Sequence, residues 1–505
     1  MLIHASSLAS TQALQFGVSL ALVRLLTPHE LGLFAIASAL VGAAHGARDL
    51  GVSAYLQREP ALDAHRVGAA LGLSCVASAL LALAMTAWAP SLADAFGEPA
   101  LAPLLRTLAL GLVVVPVGAV MTALALRAGD AAQLAKATAW GNASQAVVAV
   151  ALAAAGAGAA APAWGQVVNL AVCSLVVWPL RPRDLWVAPR FGGWRPILRL
   201  GRGTLLGSTL ASLQGAAPTV LLGQLGGASS VGLLGRAQSL TALLPGLAGM
   251  ALHFGATGRW ARRHHRGGAL APAFAAAARR LTGLAWPLLA VAAAMADPLV
   301  SLLFGATWLE AAPAVMPLAL LAALMAAFNG LGPALTAVGR TGWAALPQAA
   351  TLATWLVLAA AFALPPGAGG AQRFAYWLLL AGLVALPCQL WLCRRWLGLR
   401  PAVLMRALAA QAAVALVVGA TARLALHLAA SLAPVEALPA TAVLIGLAAA
   451  LPTWWSAARF ATFMRRRSAR RTAAHRPSMT PSSDSAVPAG HAAPVTARLR
   501  ITTRK

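Results

Sequence analysis

A chain of 505 residues in which 60% are apolar and only 10% charged, with a mean hydropathy of +0.76, has too little polar side chain to cover a soluble fold. So much apolar sequence leaves no room for a large aqueous catalytic domain. A net charge of +26 usually points to nucleic acid, but here the positive residues lie in short loops beside apolar stretches and in the tail, where insertion topology and anionic lipids account for them.

Apolar stretches long enough to cross a membrane recur from the start of the chain to about residue 461. They show no period-two alternation, so they read as helices and not as the strands of a barrel. Fourteen spans are predicted, near residues 5–26, 31–50, 67–89, 103–126, 137–157, 160–180, 203–225, 230–254, 281–304, 312–336, 342–364, 374–393, 402–429 and 437–461. Pro28, Pro60, Pro103, Pro196 and Pro401 mark boundaries, whereas the fifth and sixth spans are parted only by the run AAAGAGAAAPA. The expected fold class is an all-α polytopic integral membrane protein of about 14 transmembrane helices. The opening MLIHASSLASTQ has no basic segment before its apolar span, so no cleavable signal peptide is expected. The tail from Arg465, basic and then rich in Ser, Pro and Ala, reads as disordered.

Loop charge sets the expected orientation. With the amino terminus in the cytoplasm, alternate loops collect the basic residues. The sixth-to-seventh loop holds Arg181, Arg183, Arg190, Arg195, Arg199 and Arg202. The eighth-to-ninth holds Arg259, Arg262, Arg263, Arg266, Arg279 and Arg280. Arg340 and the group Arg394, Arg395, Arg400 and Arg406 follow on the same side, while Glu30, Asp94, Glu98, Glu310 and Glu436 fall on the other. This asymmetry predicts that both termini are cytoplasmic.

No P-loop, nucleophile elbow or HExxH motif is present, and no catalytic residue or metal site is expected. Cys75, Cys173, Cys388 and Cys393 all fall inside spans and read as inert thiols. The informative residues are charges placed where lipid should be. A guanidinium inside the membrane costs at least about 2.5 kcal/mol, so it normally faces the protein interior or an aqueous cavity. Arg24 ends the first span, Arg48 and Asp49 end the second, and Arg236 lies early in the eighth. The competing reading of Arg24 is a brace to Glu30 or a reach to the interface, and that of Arg48 with Asp49 a local cap. Polar uncharged candidates for a cavity are Gln12 and Gln15, three apart on the first span, with Gln214, Gln224, Asn142, Gln145 and Asn329; interhelical hydrogen bonding is the alternative at each. Asp49 and Asp297 are the candidates for ion coupling. Trp88, Trp178, Trp308 and Trp396 sit near span ends, as an interfacial belt would have them.

Several segments fall in a family's order and spacing. LVRLLTPHELGLFAIASAL followed by RDLGVSAYLQRE, then FGGWRPILRLGRGTLLGSTL, VLLGQLGGASSVGLLGRAQSL, LLFGATWLEAAPAV and LTAVGRTGW, over roughly residues 5–345, resemble the polysaccharide transporter family of Wzx-type flippases. That family lies within the multidrug/oligosaccharidyl-lipid/polysaccharide (MOP) exporter superfamily. Where it often has an acidic residue before LLGxLGG, this chain has Ala217 and Pro218.

The resemblance implies a transporter and not an enzyme, with no cofactor. It would carry an undecaprenyl-diphosphate-linked oligosaccharide (an O-antigen, capsule or exopolysaccharide unit) across the inner membrane of a bacterium. Its other partners would be membrane lipids and further polysaccharide-assembly membrane proteins, not nucleic acid. Two six-helix lobes are implied, residues 1–180 and 203–400. A basic cytoplasmic linker, 181–202, would join them, with two further helices in 401–463 and a cytoplasmic tail in 464–505. A diphosphate would suit Arg24, Arg48 and Arg236 in a central cavity. The alternatives are a drug or small-cation antiporter of the same superfamily, or a membrane polymerase or ligase acting on the same lipid. The sequence adds a repeat of its own: at a shift of 200, residues 20–40 match 220–240 at Leu22/Leu222, Leu25/Leu225, Gly32/Gly232, Leu33/Leu233, Ala37/Ala237 and Leu40/Leu240.

Overall fold

The computed structural model describes residues 17–59, 62–128, 131–178 and 188–429. Gln12, Gln15, the fourteenth predicted span and the basic tail lie outside them. Among the described residues every regular element is helical. Residues 17–25 form helix α1, which stops at Leu26. Thr27 caps α2 (Pro28–Arg48): its hydroxyl accepts the Glu30 amide at 3.3 Å, and Glu30 Oε2 accepts the Thr27 amide at 2.8 Å. Pro28 occupies the first helical position, where no N–H is required, so the short sequence LTPHE restarts a helix after a two-residue break. Glu30 is therefore engaged by Thr27 and does not bind Arg24.

The chain continues through α3 (Val52–Arg58), α4 (Ala64–Phe96), α5 (Leu101–Ala128), α6 (Ala131–Ala154), α7 (Ala160–Val177) and α8 (Arg195–His265). It then runs through α9 (Ala271–Ala294), α10 (Ala296–Phe304), a 3-10 turn (Ala306–Ala311), α11 (Ala312–Phe328) and α12 (Leu331–Ala337). A second 3-10 turn (Thr341–Ala344), α13 (Ala345–Ala361), α14 (Ala368–Leu397) and α15 (Pro401–Ala429) complete the described part. Each predicted span from the second to the thirteenth falls on a helix. Eight described segments are long and apolar enough to cross a membrane, and the bent pair α9 and α10 makes a ninth. Fourteen crossings are compatible with this arrangement. Two further described helices, α2 and α6, are of spanning length, and both line the cavity described below.

The structure departs from the expected boundaries in three places. The loop expected after the second span contains α3, reached through Leu50 and Gly51, both with positive φ (45° and 81°). α8 is broken at Gly227, within the gap between the seventh and eighth predicted spans, where a φ of +78° and ψ of 171° are open to glycine, and its two segments change direction there. The second of these, residues 228–265, runs about 57 Å at 1.5 Å per residue and so continues well beyond the predicted end at 254. The predicted span 281–304 is divided: α9 begins at Ala271 and α10 turns away from it by 86°. With 24 residues α9 has the length of a crossing but is apolar enough only together with α10, and Arg279 and Arg280, assigned to a loop by sequence, lie exposed on its surface.

The largest core cluster joins α1, α2, α4 to α11 with the first 3-10 turn, α13 and α14. Ile36, Leu105, Leu222, Leu233, Phe304, Trp308 and Phe374 lie fully inside it. At its centre is a contact between the two halves of the sequence repeat. A Cβ built on Gly32 would lie 1.8 Å from the Ala228 carbonyl oxygen, and one built on Gly232 would lie 1.9 Å from that of Pro28. Pro28 and Ala228, like Gly32 and Gly232, are 200 residues apart, so each half presents the equivalent positions to the other. That reciprocity is the mark of a two-fold relation between two segments. The two breaks obey the same shift, at Thr27 and Gly227.

Candidate functional site

The close crossing at Gly32 and Gly232 determines where Arg236 goes. Gly232 and Arg236 are four residues apart and share a helix face. With Gly232 pressed on the backbone of α2, Arg236 is carried to α1, where its Nη1 donates to Ser19 Oγ at 2.7 Å. Its Cζ stands 5.9 Å from the centroid of the Trp308 ring, within cation–π range. Trp308 is fully buried, and its indole N–H donates to the Val23 carbonyl at 2.9 Å. Trp308 is thus a core residue and not a member of an interfacial belt, since the Gly305 turn aims it inward. Trp88, by contrast, is 64% exposed.

Beside these residues lies a cavity of about 300 Å³, at the low end for ligand pockets. Its wall takes Val18, Ser19 and Leu22 from α1, Phe34 from α2, Asn142 and Gln145 from α6, and Arg236 from α8. Asn142 and Gln145, three apart, present one face of α6. The α6–α7 packing that holds them is close: Asn169 Nδ2 donates to Asn142 Oδ1 at 3.1 Å, and a Cβ on Gly165 would lie 2.9 Å from the Ala149 side chain. The Arg236 Nε–H is buried and meets no acceptor among the described residues. A guanidinium needs its donors engaged when taken from water, and Ser19 engages one of five. Among the described residues the lining carries no carboxylate, so its charge is that of Arg236, set among the amides of Asn142 and Gln145.

The other sequence candidates are dispersed. Arg24 is exposed, and its Nη2 donates to the Leu302 carbonyl at 3.0 Å, tying α1 to α10. Arg48 is buried, only 5% exposed, in a separate polar cluster. There its Nη1 meets Ser74 Oγ and its Nη2 meets His45 Nε2, each at 3.3 Å. Asp49 accepts from the Ser53 hydroxyl at 2.6 Å and joins α2 to α3. Gln214 Nε2 donates to the Gln348 carbonyl at 3.4 Å, between α8 and α13. Gln224 is exposed, Asn329 is exposed at the end of α11, and Asp297 is exposed in the first turn of α10. Of the three candidate arginines, Arg236 lines this cavity. Sequence reasoning missed Ser19 and the inward role of Trp308. Ser19 is 217 residues from Arg236 and carries no charge or motif to mark it.

Residues 21–313 match the family described as polysaccharide biosynthesis protein. No curated protein matches the chain. The solved structure of the lipid II flippase MurJ in its inward closed conformation superposes with a TM-score of 0.72 at 10% identity, covering 89% of this chain and 98% of that one. An inward-facing multidrug resistance MATE family transporter of the MOP superfamily gives a TM-score of 0.61 at 18% identity, covering 78% of this chain and 96% of that one. An outward-facing MATE family structure gives 0.51 at 17% identity, covering 80% and 95%. At such identities the likeness establishes the fold: this is a multi-pass membrane protein built as these transporters are.

Proposed function

This chain belongs to the polysaccharide biosynthesis protein family, and on that premise we propose that it is a flippase for an undecaprenyl-diphosphate-linked oligosaccharide. It moves its substrate across the inner membrane by alternating access between two lobes, residues 1–180 and 203–400, with both termini in the cytoplasm. The observation that carries this reading is the buried Arg236 Nε–H, which among the described residues has no acceptor, beside a cavity whose described lining has no carboxylate. A diphosphate brings about two negative charges and oxygens that accept from guanidinium, which offsets the desolvation of Arg236. Ser19, Asn142 and Gln145 supply uncharged donors and acceptors for phosphate oxygen or the first sugar hydroxyls. Binding there requires no dedicated soluble domain, as is usual for transporters whose site lies between helices. A small-cation antiporter would be served by a carboxylate on the wall, and the described lining offers Arg236 instead.

Depleting the protein in cells that make the glycan tests the reading. Assembled lipid-linked units should accumulate on the cytoplasmic leaflet while surface polymer falls; unchanged surface polymer would overturn the assignment. Restoring export with wild type but not with Arg236→Ala, at equal membrane levels, ties the activity to this cavity.

A further inference from the structure

We propose that Arg340, Trp343, Trp391, Arg395 and Trp396 form a binding site for the headgroup phosphate of an anionic phosphoglyceride. The site is independent of the transported substrate and shares no residue with the Arg236 cavity. Trp391 and Arg395 are four apart on the last turns of α14, and Arg340 precedes the 3-10 turn Thr341–Ala344 that carries Trp343. Both guanidinium carbons lie close to one ring: Arg340 Cζ is 4.6 Å and Arg395 Cζ 5.0 Å from the centroid of Trp396. The Trp343 ring centroid is 5.6 Å from that of Trp391 and 6.1 Å from that of Trp396. Three indoles and two cations therefore make a single surface where a span ends.

Three observations point to a phosphate. First, the chain has no Asp or Glu between Glu310 and Glu436, so α11 to α15 offer these arginines no counter-ion. Second, the Trp396 indole N–H is buried and meets no acceptor among the described residues, which leaves a neutral donor beside two charged ones. Third, Trp343 and Trp391 remain 41% and 45% exposed at the edge of the cluster, where amphipathic indoles sit against headgroups and upper acyl chains. The field of the α14 C-terminus alone would explain Arg395, since cations favour that end of a helix. It does not explain Arg340, which comes from another element, or the unpartnered indole. Tryptophan faces placed merely as an interfacial belt would need no paired guanidinium groups. A lipid phosphate satisfies both cations and the indole donor while its glycerol and chains lie along Trp343 and Trp391.

The test is tryptophan quenching in the full-length protein, reconstituted in phosphatidylcholine vesicles. A minor fraction of either phosphatidylglycerol or phosphatidylcholine carries brominated acyl chains. The brominated phosphatidylglycerol should quench several-fold more per molecule than the brominated phosphatidylcholine. Arg340→Gln and Arg395→Gln should each lower that preference roughly fivefold. Trp396→Phe should weaken it less, since the ring stack persists and one donor is lost. Both arginines are exposed, and circular dichroism of the variants verifies their fold. Native mass spectrometry gives a second readout, in which retained phosphatidylglycerol should fall in the double arginine variant. Equal quenching by the two lipids, or a preference unchanged in that variant, would overturn the site. Displacement of the brominated lipid by inorganic phosphate, or by undecaprenyl phosphate in preference to phosphatidylglycerol, would overturn its assignment to a phosphoglyceride.

Discussion

Replacing Gly32 by alanine puts a methyl group where the Ala228 carbonyl oxygen already stands, 1.8 Å away, and Gly232→Ala does the same against Pro28 at 1.9 Å. Neither obstacle is a flexible side-chain end; both are helix backbone. To reach ordinary contact, α2 and the second segment of α8 must withdraw by roughly 1 Å or more, a shift of the kind for which overpacked cores lose about 1–3 kcal/mol. The two-fold geometry adds a sharper expectation. The withdrawal that makes room for one methyl also makes room for the other, because both lie across the same crossing. The double variant should therefore lose little more stability than the worse single variant, a coupling of about 1 kcal/mol or more in a double-mutant cycle. Thermal unfolding in detergent, with export measured at matched protein levels, provides the assay. A Gly32→Ala variant as stable as wild type, or strictly additive losses, would refute the close reciprocal crossing.

Further outcomes follow from the site. Arg236→Ala should reduce export at least tenfold with normal membrane insertion, from the about 1.5–3 kcal/mol typical of a charged hydrogen bond. Arg236→Lys should recover part of that loss, since the charge returns without the planar fork. Trp308→Phe keeps the ring but strands the Val23 carbonyl, and should lower stability in a melt by about 1 kcal/mol; Trp308→Ala should lose about 3–5 kcal/mol. Arg24→Ala removes one bond to Leu302 from an exposed side chain, so it should lower stability by less than about 1 kcal/mol and leave export near wild type. Strong loss of export at normal protein level would return Arg24 to the substrate path.

The sequence by itself determined the fold class and most of the helices. A membrane leaves no alternative to intrahelical hydrogen bonding, so the length of an apolar run is enough to place a span. It also marked Arg236, because a guanidinium inside a span is conspicuous whatever surrounds it. The breaks at Thr27 and Gly227 fall in gaps between predicted spans, and the 200-residue repeat was legible as a weak pattern that the Gly32–Ala228 and Gly232–Pro28 contacts turn into geometry. What a charged or polar residue faces is a different matter. Arg24, Arg48 and Arg236 look alike in the sequence, yet one binds a carbonyl on α10, one joins His45 and Ser74, and one reaches a cavity. Hydropathy along the chain records only how far a residue is from water. Which helix stands next to it, and so whether Ser19 or lipid receives the Arg236 guanidinium, depends on contacts between residues hundreds of positions apart, and only the tertiary structure decided that.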